Sequence, residues 1–594
     1  MHEENKENGN RRSFLKGVGS AALIPLLANV KPVKADSVTH WDEEADVVVV
    51  GTGGAGFSAA LFAHEEGSKV IMLEKGPAAG GTTIRSGGVA YIPNNHLLRK
   101  AGVSDKKEDF LRFAVRVTYP TTYHPDLPRF GASEEAYALL DAYYDNAAST
   151  AQSLEDMGAV KYTTLLDHDM KPFADNYGHI AENQCSRGRA ICCIPETIQE
   201  GRYYYPNNGG FGVDLISELL KAANKRRIPI LTRHTVKNVV VNSNDEVIGV
   251  IVSTRKGEKK IGARRGVIFG SGGFVQNEAY RQRYLPGRVY GGCATPTNQG
   301  DFLRIAGGVG ASMGNLENGW GMELLLEEAV ASSDVKTGIW VIPGDSSILV
   351  NRYGHRFVNE KNQPCGRAKL HAAFDPVAVE YPNLIGIMIW DQRAVDLFGG
   401  IYGIQPKTGA LPSHVIEGST LAKLEKNIAS RLKTLEQHTG NVSLSDDFEE
   451  SLKHTLEVYN GYAKAGKDKD FHRGDNEGDR SFHYYGGVPK VENPYPNDLM
   501  HPITMEGPFF ATLVAAGAID SKGGPQVNGN AQVLGTDGEP IAGLYAAGNC
   551  IASPAAGEYW GAGGTIGPAM VFGKIAAINA AHAPLRSLTK VNNA

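Results

Sequence analysis

Long apolar runs are missing from this 594-residue chain beyond Val30, and nothing after that point approaches the roughly 18 consecutive apolar residues that a membrane-crossing helix requires. An integral membrane segment is therefore excluded for the chain that follows a cleaved leader. A surplus of one charge sign is missing too. Lys and Arg number 60 against 65 Asp and Glu, for a formal net charge of -5, and no basic stripe with interleaved aromatics is present, which excludes nucleic acid as a partner. Cysteine is scarce. The six residues Cys185, Cys192, Cys193, Cys293, Cys365 and Cys550 show neither a CxxCH haem site nor the repeated CxxC spacing of zinc or iron-sulfur centres, so no metal is expected. One of the adjacent Cys192 and Cys193 can form a disulfide elsewhere; buried or free thiols are the plainer alternative.

What is present begins with an address. Arg11-Arg12-Ser13-Phe14-Leu15-Lys16 precedes an apolar run from Ala21 to Val30 and then Val33-Lys34-Ala35, whose small residue suits a cleavage site. The order resembles a twin-arginine export signal over residues 1–35, the alternative being a chance arginine pair before a short helix. The expected location is the periplasm or the cell exterior.

Glycine is abundant, at 71 residues, and it is clustered. Asp46-Val47-Val48-Val49-Val50 reads as a strand buried on both faces. Gly51-Thr52-Gly53-Gly54-Ala55-Gly56 follows, then a segment from Ser58 to Glu66 with helical apolar spacing, then a second strand, Lys69 to Leu73, ending at Glu74. This is a βαβ unit with a GxGxxG turn. Gly51 and Gly53 tighten the turn and let backbone N–H groups of Gly53, Gly54 and Ala55 reach a pyrophosphate, and Gly56 lets the helix lie close to the strand. Glu74, eighteen residues after Gly56, suits the ribose hydroxyls of an adenosine half.

Further glycine turns argue for a long dinucleotide, FAD rather than NAD. Gly80 to Gly88 supplies Gly81, Thr82, Thr83, Ser86, Gly87 and Gly88 along the pyrophosphate and one edge of a flavin. The stretch from Gly266 to Phe274 is a strand entering another turn at Gly272, and Gly543 to Asn549 is a strand that brings Gly548 and Asn549 back to the cofactor. Lys75, Val236, Thr565 and Ile566 complete the expected cofactor-binding set.

The ordered motifs GTGGAG, LEKG, GGTTIRSGG, YIPNN, GSGGF, RFVNE and GLYAAGN resemble the flavoprotein superfamily of the succinate dehydrogenase and fumarate reductase flavoprotein subunits, over nearly the whole chain after about residue 44. Within it the likeness is to the 3-ketosteroid Δ1-dehydrogenases, carried by Tyr91 to Asn95, Tyr484-Tyr485-Gly486, Gly507 to Phe510, Lys522-Gly523-Gly524 and above all the run from Tyr559 to Met570. The implied architecture is α/β: a Rossmann-like FAD-binding domain (44–315 and 505–590) split by an inserted α+β substrate-capping domain (316–504). Helices between Ser419 and Ala465 are expected on the cap surface, and the charged stretch from Lys467 to Asp479 as a returning loop.

Removing hydrogen from a carbon-carbon bond beside a ketone requires loss of an α proton, hydride delivery to flavin N5, and donors aimed at the developing enolate oxygen. The Tyr559 hydroxyl and the Gly563 N–H are suitable donors, and the resemblance implies that role for both. Gly564 to Ile566 starts a helix whose dipole favours negative charge on a reduced flavin. The proton acceptor stays open. Where the family carries a Tyr after the VNE stretch, this chain has Lys361 to Arg367. Cys365 is one candidate, with a packed thiol as the plain alternative. Arg367 is another, by likeness to the proton-donating Arg of fumarate reductases, with an ion-paired Arg as its alternative. Tyr143 loosely resembles a second active-site Tyr of the steroid enzymes.

The segment Glu558-Tyr559-Trp560 stands where carboxylate reductases place an Arg anchor, which argues for a neutral, flat, apolar ketone, since a buried carboxylate without a cation is costly. Trp320, Met322 and Leu324 to Leu326 are candidates for the facing wall or for plain core. The implied activity is 1,2-desaturation of a 3-ketosteroid or similar cyclic ketone, with electrons passed to a quinone or redox protein. Two alternatives stand beside it: an exported ene-reductase acting on an enone or unsaturated acid, and a non-catalytic flavin electron relay.

Overall fold

The computed structural model describes residues 31–194, 211–336, 338–484 and 488–588. The twin-arginine segment and residues 485–487, including Tyr485 and Gly486, lie outside the described residues. Val33–Lys34 lies inside them. It pairs in parallel with the strand Thr235–Val241 at the edge of the main sheet, so the end of the expected leader is part of the fold described here.

The valine run forms the strand Glu43–Val50, buried on both faces from Val47 to Val50, because parallel neighbours flank it and helices cover it. On one side lies Val70–Leu73, with Val47 opposite Val70; on the other lies the second half of Gly257–Phe269, with Val50 opposite Phe269. Phe269 in turn stands opposite Ala546 at the end of Pro540–Ala546. Three parallel strands therefore end at one level, and each runs into a glycine turn, at Gly51, Gly270 and Gly548. Register rather than sequence distance brings the turns together. The first half of Gly257–Phe269 pairs instead with Val247–Thr254 in an antiparallel ladder, which extends the sheet to nine strands.

The helix Gly54–Glu65 buries every residue from Gly54 to Ala63, since it is wedged between this sheet and the helix Ile566–His582. The fit leaves no room for a side chain at two glycines: a Cβ on Gly56 would sit 2.0 Å from the Gly51 carbonyl oxygen, and one on Gly573 2.5 Å from that of Ala55. Ser58 Oγ ties the helices by donating to the Met570 carbonyl at 2.6 Å.

A second, antiparallel sheet has the order Gly319–Leu325, Phe509–Ser521, Ile385–Asp391, Ser347–Val350, with Ile416–Gly418 added beside Phe509–Ser521. Its long strand Phe509–Ser521 follows residue 504, where the return to the nucleotide-binding sheet was expected; that return comes only with Gln532–Leu534 and Pro540–Ala546. Helices Leu421–Thr434 and Phe448–Ala465 pack one face on this sheet through Leu424, Ile428, Leu452 and Leu456. The stretch from Lys467 to Asp479 runs without helix or strand up to the short helix Glu477–His483, and part of it is buried. Asp468 and Arg473 are fully buried, Asp468 on Arg356 and Arg473 on Glu360 and four backbone carbonyls. A third small sheet joins Val89–Tyr91, Ala190–Cys193 and Tyr162–Thr164. Among the described residues no helix is long and apolar enough to cross a membrane.

Candidate active site

A cavity opens where the three glycine turns meet. Gly51 has φ +102°, and a Cβ there would stand 2.4 Å from the Gly270 carbonyl oxygen, so the turn admits only glycine. Gly53, Gly54 and Ala55 line the cavity at the start of the first helix, whose dipole suits a phosphate. Glu74 is buried at one end and accepts from Thr52 Oγ1 at 2.5 Å and from the Gly76 N–H at 2.6 Å; each oxygen keeps a further acceptor site for ribose hydroxyls. Gly81, Thr82, Thr83, Ser86, Val236, Gly272, Gly548 and Asn549 also line it, as does Lys75, whose ammonium is held 2.7 Å from Asp301. At the far end Thr565 and Ile566 open the seventeen-residue helix Ile566–His582 onto the cavity. These groups fit an extended dinucleotide: an acid for a ribose, a helix N-terminus for phosphate and a second helix N-terminus for a reduced ring. Three residues of the expected set stand off the wall. Gly56 permits helix-strand contact instead, and Gly87 and Gly88 lie beyond Ser86, which turns its hydroxyl onto the Gly88 N–H.

Tyr559 and Gly563 meet just before the same helix. The Gly563 N–H donates to the Tyr559 hydroxyl oxygen at 3.2 Å. Tyr559 is almost wholly buried, and burial drives its phenol well above the ordinary value, so the hydroxyl is a donor at neutral pH. The Trp320 ring stands edge-on to Tyr559, 5.6 Å between centroids, and donates from Nε1 to Asn549 Oδ1 on the cavity wall at 2.9 Å. Trp320 thus belongs to the site, whereas Met322, Leu324 and Leu326 belong to the core of the second sheet.

The other candidates are placed differently. Tyr143 is buried against Trp560, with its hydroxyl donated to the Tyr91 carbonyl, so it props the helix start rather than facing an open space. Arg367 is fully buried and gives its donors to Glu323 and to the carbonyls of Trp340, Asn362 and Ile339, which leaves it a structural cation. Cys365 begins the same short helix, Pro364–Lys369, and burial pushes its thiol up to about 12. At neutral pH it is neither thiolate nor base. All six cysteines are unpaired thiols.

A family model described as an FAD binding domain matches residues 46–566. The chain belongs to that family. It is 32% identical over 587 residues to a 3-oxosteroid 1-dehydrogenase of Mycolicibacterium smegmatis, covering 91% of this chain and 97% of the relative. It is 30% identical over 568 residues to a 4-oxocyclohexanecarboxylate 2-dehydrogenase of Sinomonas cyclohexanicum, covering 89% and 92%. Its fold is similar to the crystal structure of a 3-ketosteroid Δ1-dehydrogenase from Sterolibacterium denitrificans, with a TM-score of 0.75 at 24% identity, covering 91% of this chain and 99% of that one. The protein is an FAD-dependent oxidoreductase, with FAD as its cofactor.

The flavoprotein's site also holds residues that sequence reasoning missed. Asp520, near the end of the long second-sheet strand, is buried in the cavity wall. It accepts from the Gly273 N–H at 3.0 Å, Asn298 Nδ2 at 2.9 Å and Asn549 Nδ2 at 3.0 Å, yet burial outweighs these bonds and raises its carboxyl to about 6. Lys522, two residues on, is fully buried with Nζ 4.1 Å from the Trp320 ring centre and 3.0 Å from the Glu558 carbonyl oxygen; burial lowers it to about 8. A buried acid and a buried base on one strand end are a functional-site signature. The flanking AAGAIDSKGG reads as apolar strand; Lys522-Gly523-Gly524 carries part of the family likeness, but nothing local marks Asp520 as lining the cavity or Lys522 as buried against Trp320.

Proposed function

We propose that this flavoprotein dehydrogenates an apolar cyclic ketone beside its carbonyl, with 1,2-desaturation of a 3-ketosteroid as the leading case. The observation that carries the reading is the convergence of the Tyr559 hydroxyl and the Gly563 N–H in a buried setting beside the cofactor cavity. The amide N–H is donated to the phenol oxygen, which leaves the phenol proton free; an enolate oxygen that takes over the N–H and accepts the phenol proton meets both donors, and burial strengthens both. The ketone oxygen binds there, the α carbon loses a proton, and the β hydrogen leaves as hydride. FAD, when bound, supplies the hydride acceptor. Both relatives are named as dehydrogenases of cyclic ketones, which supports dehydrogenation beside a carbonyl; the apolar substrate is supported by the 3-oxosteroid enzyme alone, since 4-oxocyclohexanecarboxylate carries a charge. The committed donors of Arg367 weigh against the reductase direction, because they leave no free guanidinium to protonate a substrate carbon. Electrons then pass to a quinone or redox protein, in the periplasm or outside the cell if the leader directs export.

The test is anaerobic addition of a saturated or Δ4 3-ketosteroid, and separately of a simple cyclohexanone, to the FAD-loaded chain while the flavin spectrum is recorded. Bleaching by either supports the reading and ranks the substrates. Reoxidation of dye-reduced enzyme by fumarate, with no bleaching by ketones, overturns it.

A further inference from the structure

The dehydrogenation proposed above needs a group to take the α proton, and none of the residues already discussed is free to do so. Tyr559 is a donor, Cys365 is a neutral buried thiol, and the N–H groups of Arg367 are committed. The structure places another phenol beside them. Tyr177, in the loop after the strand Tyr162–Thr164, donates its hydroxyl to Glu558 Oε2 at 2.7 Å, and its oxygen lies 3.4 Å from Gln363 Nε2.

The two ends of this arrangement are held from independent directions. Asn176 clamps the loop to the Tyr559 segment, donating from Nδ2 to the Tyr559 carbonyl at 2.6 Å and from its backbone N–H to the Trp560 carbonyl at 3.1 Å. Gln363 accepts the Cys365 N–H on its Oε1 at 2.7 Å, and that bond turns its amide nitrogen towards Tyr177. Tyr177 is thus tied to the Tyr559 segment twice, through Glu558, the chain neighbour of Tyr559, and through Asn176, and to the Cys365 turn through Gln363. Behind Tyr177, Glu558 is ion-paired with Lys369, whose Nζ also donates to the Gly557 carbonyl at 2.6 Å. The Glu558 side chain is 16% exposed and that of Lys369 45%, so this carboxylate reaches solvent.

We propose that Tyr177 is the proton acceptor of the flavoprotein and that Glu558 is its relay to solvent. This rests on the dehydrogenase reading of the same site. The α C–H bond breaks, its electron pair stays on the substrate as the enolate held by Tyr559 and Gly563, and the proton goes to the Tyr177 oxygen. In the same motion the hydroxyl proton of Tyr177 passes to the Glu558 carboxylate, so no free phenolate forms. That matters because burial and the Glu558 charge both oppose ionisation of this phenol. The β hydrogen leaves with its electron pair to FAD, and the substrate has then lost one proton and one hydride. Lys369 pairs with the carboxylate that receives the proton, and the proton departs from the exposed edge of Glu558 to water. The charged and titratable groups facing the pair are Lys369, Lys522, which donates to the Glu558 carbonyl, and the Cys365 thiol.

The experiment separates proton transfer from hydride transfer. Dithionite-reduced, FAD-loaded enzyme in D2O cannot accept hydride, so α-hydrogen exchange of the ketone, read by mass spectrometry, reports the proton step alone. Tyr177→Phe is expected to slow exchange about a hundredfold or more at unchanged FAD content. Glu558→Gln preserves the size of the relay but removes its carboxylate. It is expected to slow exchange about tenfold or more, and Glu558→Asp, which keeps the carboxylate, to restore part of the rate. Exchange by Tyr177→Phe at the wild-type rate overturns the assignment. If that variant loses FAD, Glu558→Gln decides by itself, and exchange at the wild-type rate, or no rescue by Glu558→Asp, overturns it. Wild-type enzyme that neither exchanges nor bleaches with any ketone sinks the dehydrogenase reading itself, an outcome distinct from failure of the Tyr177 variant.

Discussion

The Gly563 N–H points at the hydroxyl oxygen of Tyr559 from 3.2 Å, and this bond orients the phenol without consuming its proton. Gly563 must be glycine for it. Its φ is +88°, and a Cβ there would lie 2.6 Å from the Tyr91 nitrogen and the Ala90 carbonyl carbon. An incoming ketone oxygen can accept from the Tyr559 hydroxyl and take over the Gly563 N–H.

Tyr559→Phe should therefore lower the rate of flavin reduction by a ketone about a hundredfold to a thousandfold, the usual cost of losing one such donor. Bound FAD should be unchanged, because Tyr559 does not line the cofactor cavity. Stopped-flow absorbance and flavin content per chain check both halves, and loss of FAD instead of rate would move Tyr559 from chemistry to cofactor binding.

Gly56→Ala attacks the cofactor by another route. With only 2.0 Å between the new Cβ and the Gly51 oxygen, the helix must retreat from the strand and the phosphate turn opens. The expected outcome is a folded chain purified without flavin absorbance, with circular dichroism close to wild type.

Asp520 gives a pH signature. Its folded-state value, about 6, is above the unfolded value of 3.8, so between these limits the native state binds more protons. Stability from this group is present at low pH and is lost as pH rises towards 6, by an amount of about 3 kcal/mol. Asp520→Asn should flatten that part of the stability profile in chemical denaturation of the FAD-free chain. An unchanged profile would mean that Asp520 titrates normally.

Lys522 has the opposite sign. Its folded value of about 8 lies below 10.5, so the unfolded chain binds more protons between these limits and stability rises with pH across that window. The charge beside Trp320 and the Tyr559 segment favours a developing enolate only while it is present. Flavin reduction should therefore decline above about pH 8, and Lys522→Met should be slower at pH 7, by about tenfold, and lack that alkaline limb.

Arg367→Ala tests structure against chemistry. Glu323 would be left buried without its guanidinium partner, at a cost of about 3–5 kcal/mol. Thermal unfolding should move sharply down, while the surviving FAD-loaded fraction reduces its flavin within a few-fold of the wild-type rate. A normal melting profile with abolished turnover would restore Arg367 as a proton donor.

The cofactor half of the site was readable because its chemistry is local. A β-branched run, a GxGxxG turn, an apolar helix and an acid at the end of the next strand are neighbours in the chain, and each reports on the backbone it forms. The turns at Gly272 and Gly548 were readable for the same reason, although only the parallel register of Val50, Phe269 and Ala546 brings them together. Arg367 and Tyr143 misled because a polar side chain near a motif carries no mark of whether its hydrogen bonds are already spent.

By itself, then, the sequence determined the α/β class, the cofactor and the nearness of Tyr559 to Gly563 at the helix start, since these depend on residues within a few positions of each other. Tertiary structure alone decided that Asp520 is buried in the cavity wall and Lys522 against Trp320, and that Tyr177 meets Glu558 across 381 positions of chain. Such pairs are set by which strands and loops pack together. That choice is made by the summed burial of many distant apolar groups, and no single local pattern records it.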